Sequence, residues 1–144
     1  MMKKIFILKL LITSMFIVGC DSGKIENKNP YVPSFSFTID INMELPMYNS
    51  LLYPSNAQLI TFNGAGANGI IVFNTGGGYR AYEANCPNQY ILNCSRLEIQ
   101  GIRAKCPCDE LEYSLFTGLP VEQGDYPMIS YRVERIGNIL RVFN

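Results

Sequence analysis

Cys106-Pro107-Cys108-Asp109-Glu110-Leu111-Glu112-Tyr113, followed by Thr117-Gly118, is the stretch on which the reading of the fold turns. Upstream of it lies a second cysteine-bearing stretch, Cys86-Pro87-Asn88 with Cys94. Around both, apolar residues recur at every second position. Phe35, Phe37, Ile39, Ile41 and Met43 show this period most plainly, and it is the period of a half-buried strand. Further strands are expected at 58–62, 70–73, 79–84, 97–99, 102–105, 112–116, 131–136 and 139–143. No segment sustains a helical period. Gly76-Gly77-Gly78 and Gly137-Asn138 fall between strand candidates, where hairpin turns need positive φ. The expectation is an all-β, antiparallel meander.

Farther out, the amino-terminal segment is built differently. Lys3 and Lys4 precede an apolar run from Ile5 to Val18 interrupted by Lys9, Thr13 and Ser14. That run falls short of the roughly 20 residues that a membrane-crossing helix needs, and with its basic start it has the form of a signal peptide. It closes on Ile17-Val18-Gly19-Cys20, which looks like a lipobox: residues 1–19 are removed and Cys20 receives the lipid. More than one acyl chain gives durable anchoring, where a single chain does not. Residues 20–33 are then a lipidated cysteine and a polar tether, and 34–144 form the domain. The expected location is the bacterial cell envelope, on a membrane and facing the periplasm or the exterior.

Composition narrows the function. With 48% hydrophobic and 17% charged residues among 144, one globular core is expected. The formal charge of zero becomes nine bases against twelve acids once residues 1–19 and their lysines are gone, so nucleic acid is not an expected partner. The chain contains no histidine. A Ser-His-Asp triad, a Cys-His dyad, a histidine zinc site and a haem held by histidine are therefore excluded. Gly64-Ala65-Gly66-Ala67-Asn68-Gly69 fits the G-x-G-x-x-G pattern, but a strand-like run, Ile70-Ile71-Val72-Phe73, follows it. A dinucleotide fingerprint requires a helix there, so a flexible hairpin loop is the reading. Tyr48, Tyr53 and Tyr90 fall in loop-like stretches and are candidates for a binding patch, while Arg132, Glu134 and Arg135 read as a solvated strand face. Lipidation of Cys20 leaves Cys86, Cys94, Cys106 and Cys108, an even number that pairing can satisfy completely.

The two cysteine stretches resemble the Rieske family, in which a Cys-x-His loop and a later Cys-Pro-x-His loop hold a [2Fe-2S] cluster, with an aromatic residue and a Thr-Gly turn after them. Downstream, Tyr126-Pro127, Tyr131-Arg132-Val133 and Ile139-Leu140-Arg141-Val142 are similar to the family's closing hairpin. The resemblance implies a Rieske-like antiparallel β-sandwich with two cysteine-bearing loops. It places Cys86 and Cys106 at the cysteine-ligand positions and Asn88 and Asp109 where the histidines belong. Glu110 stands where the family commonly has glycine. A carboxamide replaces imidazole poorly and one carboxylate leaves an iron under-ligated, so the resemblance implies a member that has lost its cluster, with no metal expected.

Rieske proteins of the cytochrome bc type carry a second cysteine at the position of Cys108, paired with one after the first loop. Cys94 is the candidate mate, and this leaves Cys86 facing Cys106. The main reading is thus a disulfide-stabilised binding or scaffold module held at a membrane by its lipid, with a protein partner in the envelope. It has no catalytic residues and is not expected to be an enzyme. Three alternatives stay open: an electron carrier that keeps a [2Fe-2S] centre on Cys86, Cys94, Cys106 and either Asp109 or Cys108; a thiol-disulfide enzyme using Cys106 and Cys108; and zinc held by the four cysteines.

Overall fold

The alternating run that begins at Phe35 forms β1 (Thr38–Asn42), whose Ile39 and Ile41 point into the core while Thr38 and Asp40 face solvent. The computed structural model describes residues 28–144; the segment read as a signal peptide, Cys20 and the first part of the tether lie outside them. After a short 3-10 helix (Asn49–Leu52), the chain makes β2 (Ala57–Ile60), β3 (Ile70–Asn74) and β4 (Tyr79–Glu83) as successive antiparallel neighbours. A smaller sheet follows, built from β5 (Glu98–Gln100), β6 (Arg103–Lys105) and β7 (Glu112–Ser114). β8 (Ser130–Ile136) and β9 (Ile139–Phe143) then form a hairpin across Gly137-Asn138.

The fold is all-β and antiparallel, but the large sheet is not a meander. Its order is β1-β9-β8-β4-β3-β2. β4 pairs with β8 and β1 with β9, because the small sheet is inserted between β4 and β8 and the chain must return to complete the larger one. Strand ends also differ from the sequence expectation by one to two residues in most cases. Phe62 was expected to end β2, but the strand stops at Ile60 and Phe62 is exposed at the start of the 61–69 loop.

β3 explains how two cores share one strand. Ile70 and Val72 face a cluster with Ile39, Ile41, Leu140, Val142 and Leu51, enclosed by the curl of the six-stranded sheet. Ile71 and Phe73 face the opposite way, into a cluster with Tyr82, Leu97, Ala104, Tyr113, Leu115 and the buried Cys86 and Cys106 beneath the small sheet. Burial on both faces is why this strand reads as a continuous apolar run and not as an alternation.

The 61–69 stretch is a hairpin loop between β2 and β3, as expected; its first four residues are exposed, and its second half is anchored by the buried Glu83 at the end of β4. One carboxylate oxygen accepts from Ala67 N (2.9 Å) and from the Tyr131 hydroxyl (2.7 Å). The other accepts from Asn85 N (3.0 Å) and Asn68 N (3.2 Å). A Cβ on Gly66 would lie 2.5 Å from Gly69 O and 2.7 Å from Glu83 Oε2, so only glycine allows the loop this approach. Burial first, and then the neighbouring carboxylate, hold the Tyr131 phenol well above its ordinary pKa.

Residues ahead of 34 also touch the domain: Val32 is buried, and Asn29 Nδ2 donates to Pro87 O at 2.7 Å. The strand face expected to be solvated carries contacts as well. The Arg132 guanidinium lies 5.7 Å from the Phe143 ring centroid and that of Arg135 5.8 Å from Tyr79.

Candidate functional site

Both cysteine loops leave the strands that frame the second core. The first (86–94) follows β4 and leads toward β5; the second (106–111) connects β6 to β7. Cys86 is bonded to Cys106 with Cα atoms 5.6 Å apart, and Cys94 to Cys108 with Cα atoms 5.2 Å apart. Both spacings fall in the ordinary range for disulfides. The inner bond is fully buried, whereas Cys94 is exposed and Cys108 half-buried, so the outer bond meets solvent. Together they fasten the same two loops at two depths.

Hydrogen bonds close the first loop from its base. Cys86 N donates to Ser95 O at 2.6 Å and Leu97 N to Ala84 O at 2.8 Å. The Ser95 hydroxyl donates to Asn85 Oδ1 (2.7 Å), which also accepts from Asn68 Nδ2 (2.7 Å). Asn85 Nδ2 reaches Cys86 O (2.9 Å) and Gln89 O (3.1 Å). In the second loop, Cys106 N donates to Leu111 O and Glu110 N to Cys106 O, at 2.8 and 2.9 Å. That turn places Glu110 at φ +64°, in the left-handed region that favours glycine. Glu110 is held there while its carboxylate pairs with Lys105. The ion pair pushes the Lys105 pKa up.

Asn88 and Asp109 are committed to hydrogen bonds within the fold. Asn88 Nδ2 donates to the Tyr113 hydroxyl at 2.8 Å, and its Oδ1 accepts from Tyr126 N at 3.0 Å. Asp109 accepts from Gln89 Nε2 and from Leu111 N, both at 3.1 Å. Burial is the main cause that pushes the Tyr113 phenol up to about 12; Asp109 adds to the rise, and the hydrogen bond from Asn88 works against it. Beyond β7, Gly118 has φ +75° and its α-carbon faces the Tyr82 ring, so a Cβ there would approach Cε1 to 2.7 Å. Tyr82 in turn donates from its hydroxyl to Leu115 O at 3.2 Å.

This donor set does not fit a [2Fe-2S] cluster. Cluster ligands are thiolates or imidazoles, whereas these sulfurs are bonded to each other and the two remaining positions carry a carboxamide and a carboxylate that already have partners. Among the described residues, no group of three or more cysteines, aspartates or glutamates is placed to hold a metal ion. The site therefore supplies cross-links and hydrogen bonds.

Of the tyrosines considered for a patch, Tyr48 packs against the first core and Tyr53 flanks the 3-10 helix, while Tyr90 lies at the cysteine loops. Tyr90 has a different companion: its ring meets Tyr31 edge-on at 5.1 Å, and Tyr31 meets Tyr126 at 5.8 Å. Glu83, Asn85 and Ser95 are the residues that sequence reasoning missed. For Glu83 and Asn85 the available signal was a polar side chain inside the otherwise apolar run from Ala81 to Cys86; Ser95 carried none.

No known family model matches the chain, and neither does any curated protein. Solved structures similar to it include the ferredoxin of carbazole 1,9a-dioxygenase from Nocardioides aromaticivorans, at 18% identity over 78% of this chain and 97% of that one, with a TM-score of 0.45. A Sphingomonas yanoikuyae ferredoxin is 13% identical over 64% of this chain and 88% of its own, with a TM-score of 0.47. The apo quaternary ammonium Rieske monooxygenase CntA is 16% identical over 78% of this chain and 33% of its own, with a TM-score of 0.48. These likenesses concern the fold alone. The class that the fold itself defines is an antiparallel all-β domain with two cysteine-bearing loops. In this one, Cys86–Cys106 and Cys94–Cys108 both join those loops.

Proposed function

We propose that the chain is an envelope lipoprotein, acylated at Cys20, whose Rieske-like domain has lost its iron-sulfur cluster and serves as a disulfide-stabilised binding or scaffold module. The observation that carries this reading is the bond between Cys86 and Cys106, at the two positions where the family resemblance would put cluster thiolates. Asn88 and Asp109 support it, since each acts as a hydrogen-bonding tie between segments. The cross-links contribute up to roughly 3 kcal/mol each on a chain-entropy argument. In that way they replace a cluster as the clamp between the loops. The lipobox supports an oxidising location, where such bonds persist, and the protein it serves is a partner in the same envelope.

The test is non-reducing peptide mapping with iron analysis on the mature chain carrying Cys20→Ser and produced through an oxidising compartment. The expected result is peptides joining Cys86 to Cys106 and Cys94 to Cys108, with no iron and no visible absorption. About two irons per chain with Cys86 and Cys106 unpaired would make the protein an electron carrier with altered ligands and overturn the proposal.

A further inference from the structure

The chain enters the domain at the cysteine loops. Asn29 Nδ2 donates to Pro87 O in the first loop, and Asn29 Oδ1 accepts from Tyr31 N and Val32 N at 2.8 and 3.2 Å, closing a turn. Tyr31 is then clamped edge-on between Tyr90 and Tyr126. Next to this clamp the first loop presents three consecutive exposed residues, Tyr90, Ile91 and Leu92, at 64, 47 and 54% exposure. Among the described residues, Ile91 and Leu92 belong to neither core.

Eight residues lie between Cys20 and Asn29, and the nine Cα–Cα steps of a fully extended chain reach about 30 Å. A domain of roughly 110 residues has a radius of gyration near 13 Å, so that reach is comparable with its diameter. The fixed point of the tether lies at the loop tip and not at the opposite end of the sheet, where the β8–β9 turn sits. A lipid on Cys20 would therefore keep this tip within about 30 Å of the bilayer.

We infer that the Tyr90-Ile91-Leu92 tip is a second membrane contact: it inserts into the lipid interface and orients the domain with its cysteine loops toward the bilayer. The occupant is a lipid surface. Tyrosine, with an apolar ring and a polar end, suits the headgroup level, and the two aliphatic side chains suit the acyl boundary just below it. The two disulfides hold the loop rigid, so the tip makes its contact without first having to order itself. This inference rests on the lipoprotein reading above.

The chain has no tryptophan, so a single introduced one reports its own surroundings. The acylated mature protein carrying Ile91→Trp is reconstituted into vesicles of phosphatidylethanolamine and phosphatidylglycerol, with and without brominated acyl chains. A second protein carries Ile136→Trp at the β8–β9 turn, where Ile136 is 53% exposed. The expected result is blue-shifted emission and at least threefold quenching by brominated lipid at position 91, with neither at position 136. Intact mass measures acylation separately. If Cys20 is acylated and the two positions are quenched equally, this inference fails alone. If Cys20 carries no acyl group, the lipoprotein reading fails and takes the inference with it.

Discussion

Asn88 joins three parts of the chain through one amide, since it belongs to the first cysteine loop, donates to Tyr113 in β7 and accepts from the backbone of Tyr126. Asn88→Ala should leave Tyr126 N without this partner and cost about 1–3 kcal/mol, read from urea unfolding. Glu83 is more demanding. Its carboxylate is buried and takes four donors, so Glu83→Ala should cost about 3–5 kcal/mol and leave the 61–69 loop open to proteolysis. A pH dependence follows from Tyr113, whose pKa rises from 10 in the unfolded chain to about 12 in the fold. The folded state holds that proton more tightly, so the stability is fully present below pH 10 and is lost as pH rises through 12. The unfolding midpoint should fall between pH 10 and 11.5, and Tyr113→Phe should flatten part of that fall. The sequence showed Asn88 and Asp109 as positions of interest, through the histidines they replace. Their partners were not legible, because Tyr126 and Gln89 reach them only through the folded path of the chain.

The strands were the most legible elements, and the reason differs from one to another. β1 showed itself by alternation because one face is wet; β3 showed itself by an unbroken apolar run because neither is. The three-residue strands of the small sheet had their neighbourhoods marked and their ends displaced, since so short a strand takes its limits from its partners. The cysteine loops carry a prediction of their own. The outer bond meets solvent and the inner one is buried, so increasing dithiothreitol should open Cys94–Cys108 well before Cys86–Cys106. Alkylation timed through the reduction, followed by mass spectrometry, separates the two steps. Simultaneous reduction would show that burial gives the inner bond no protection of its own.

Across the whole molecule, the two cores divide the domain into parts of unequal independence. The large sheet is completed by β9 and by β1 at its edge, whereas the small sheet leans on β3 and β4 and is tied down by the disulfides. With both bonds reduced, amide exchange should rise across residues 95–116 while β8 and β9 keep their protection. The departure from a meander belongs to this scale too: local alternation says that a strand exists, but its neighbour is chosen by a return of the chain that no local signal records. That return has a consequence for biosynthesis. Asp40 on β1 meets Arg141 on β9, 101 residues later, in a two-toothed ion pair. The first strand to be made is therefore the one that waits longest for its edge to be covered, and pairing over such a separation is slow. The edge that β1 presents therefore stays uncovered until β9 has been made, while β2, β3 and β4 can pair as soon as they appear.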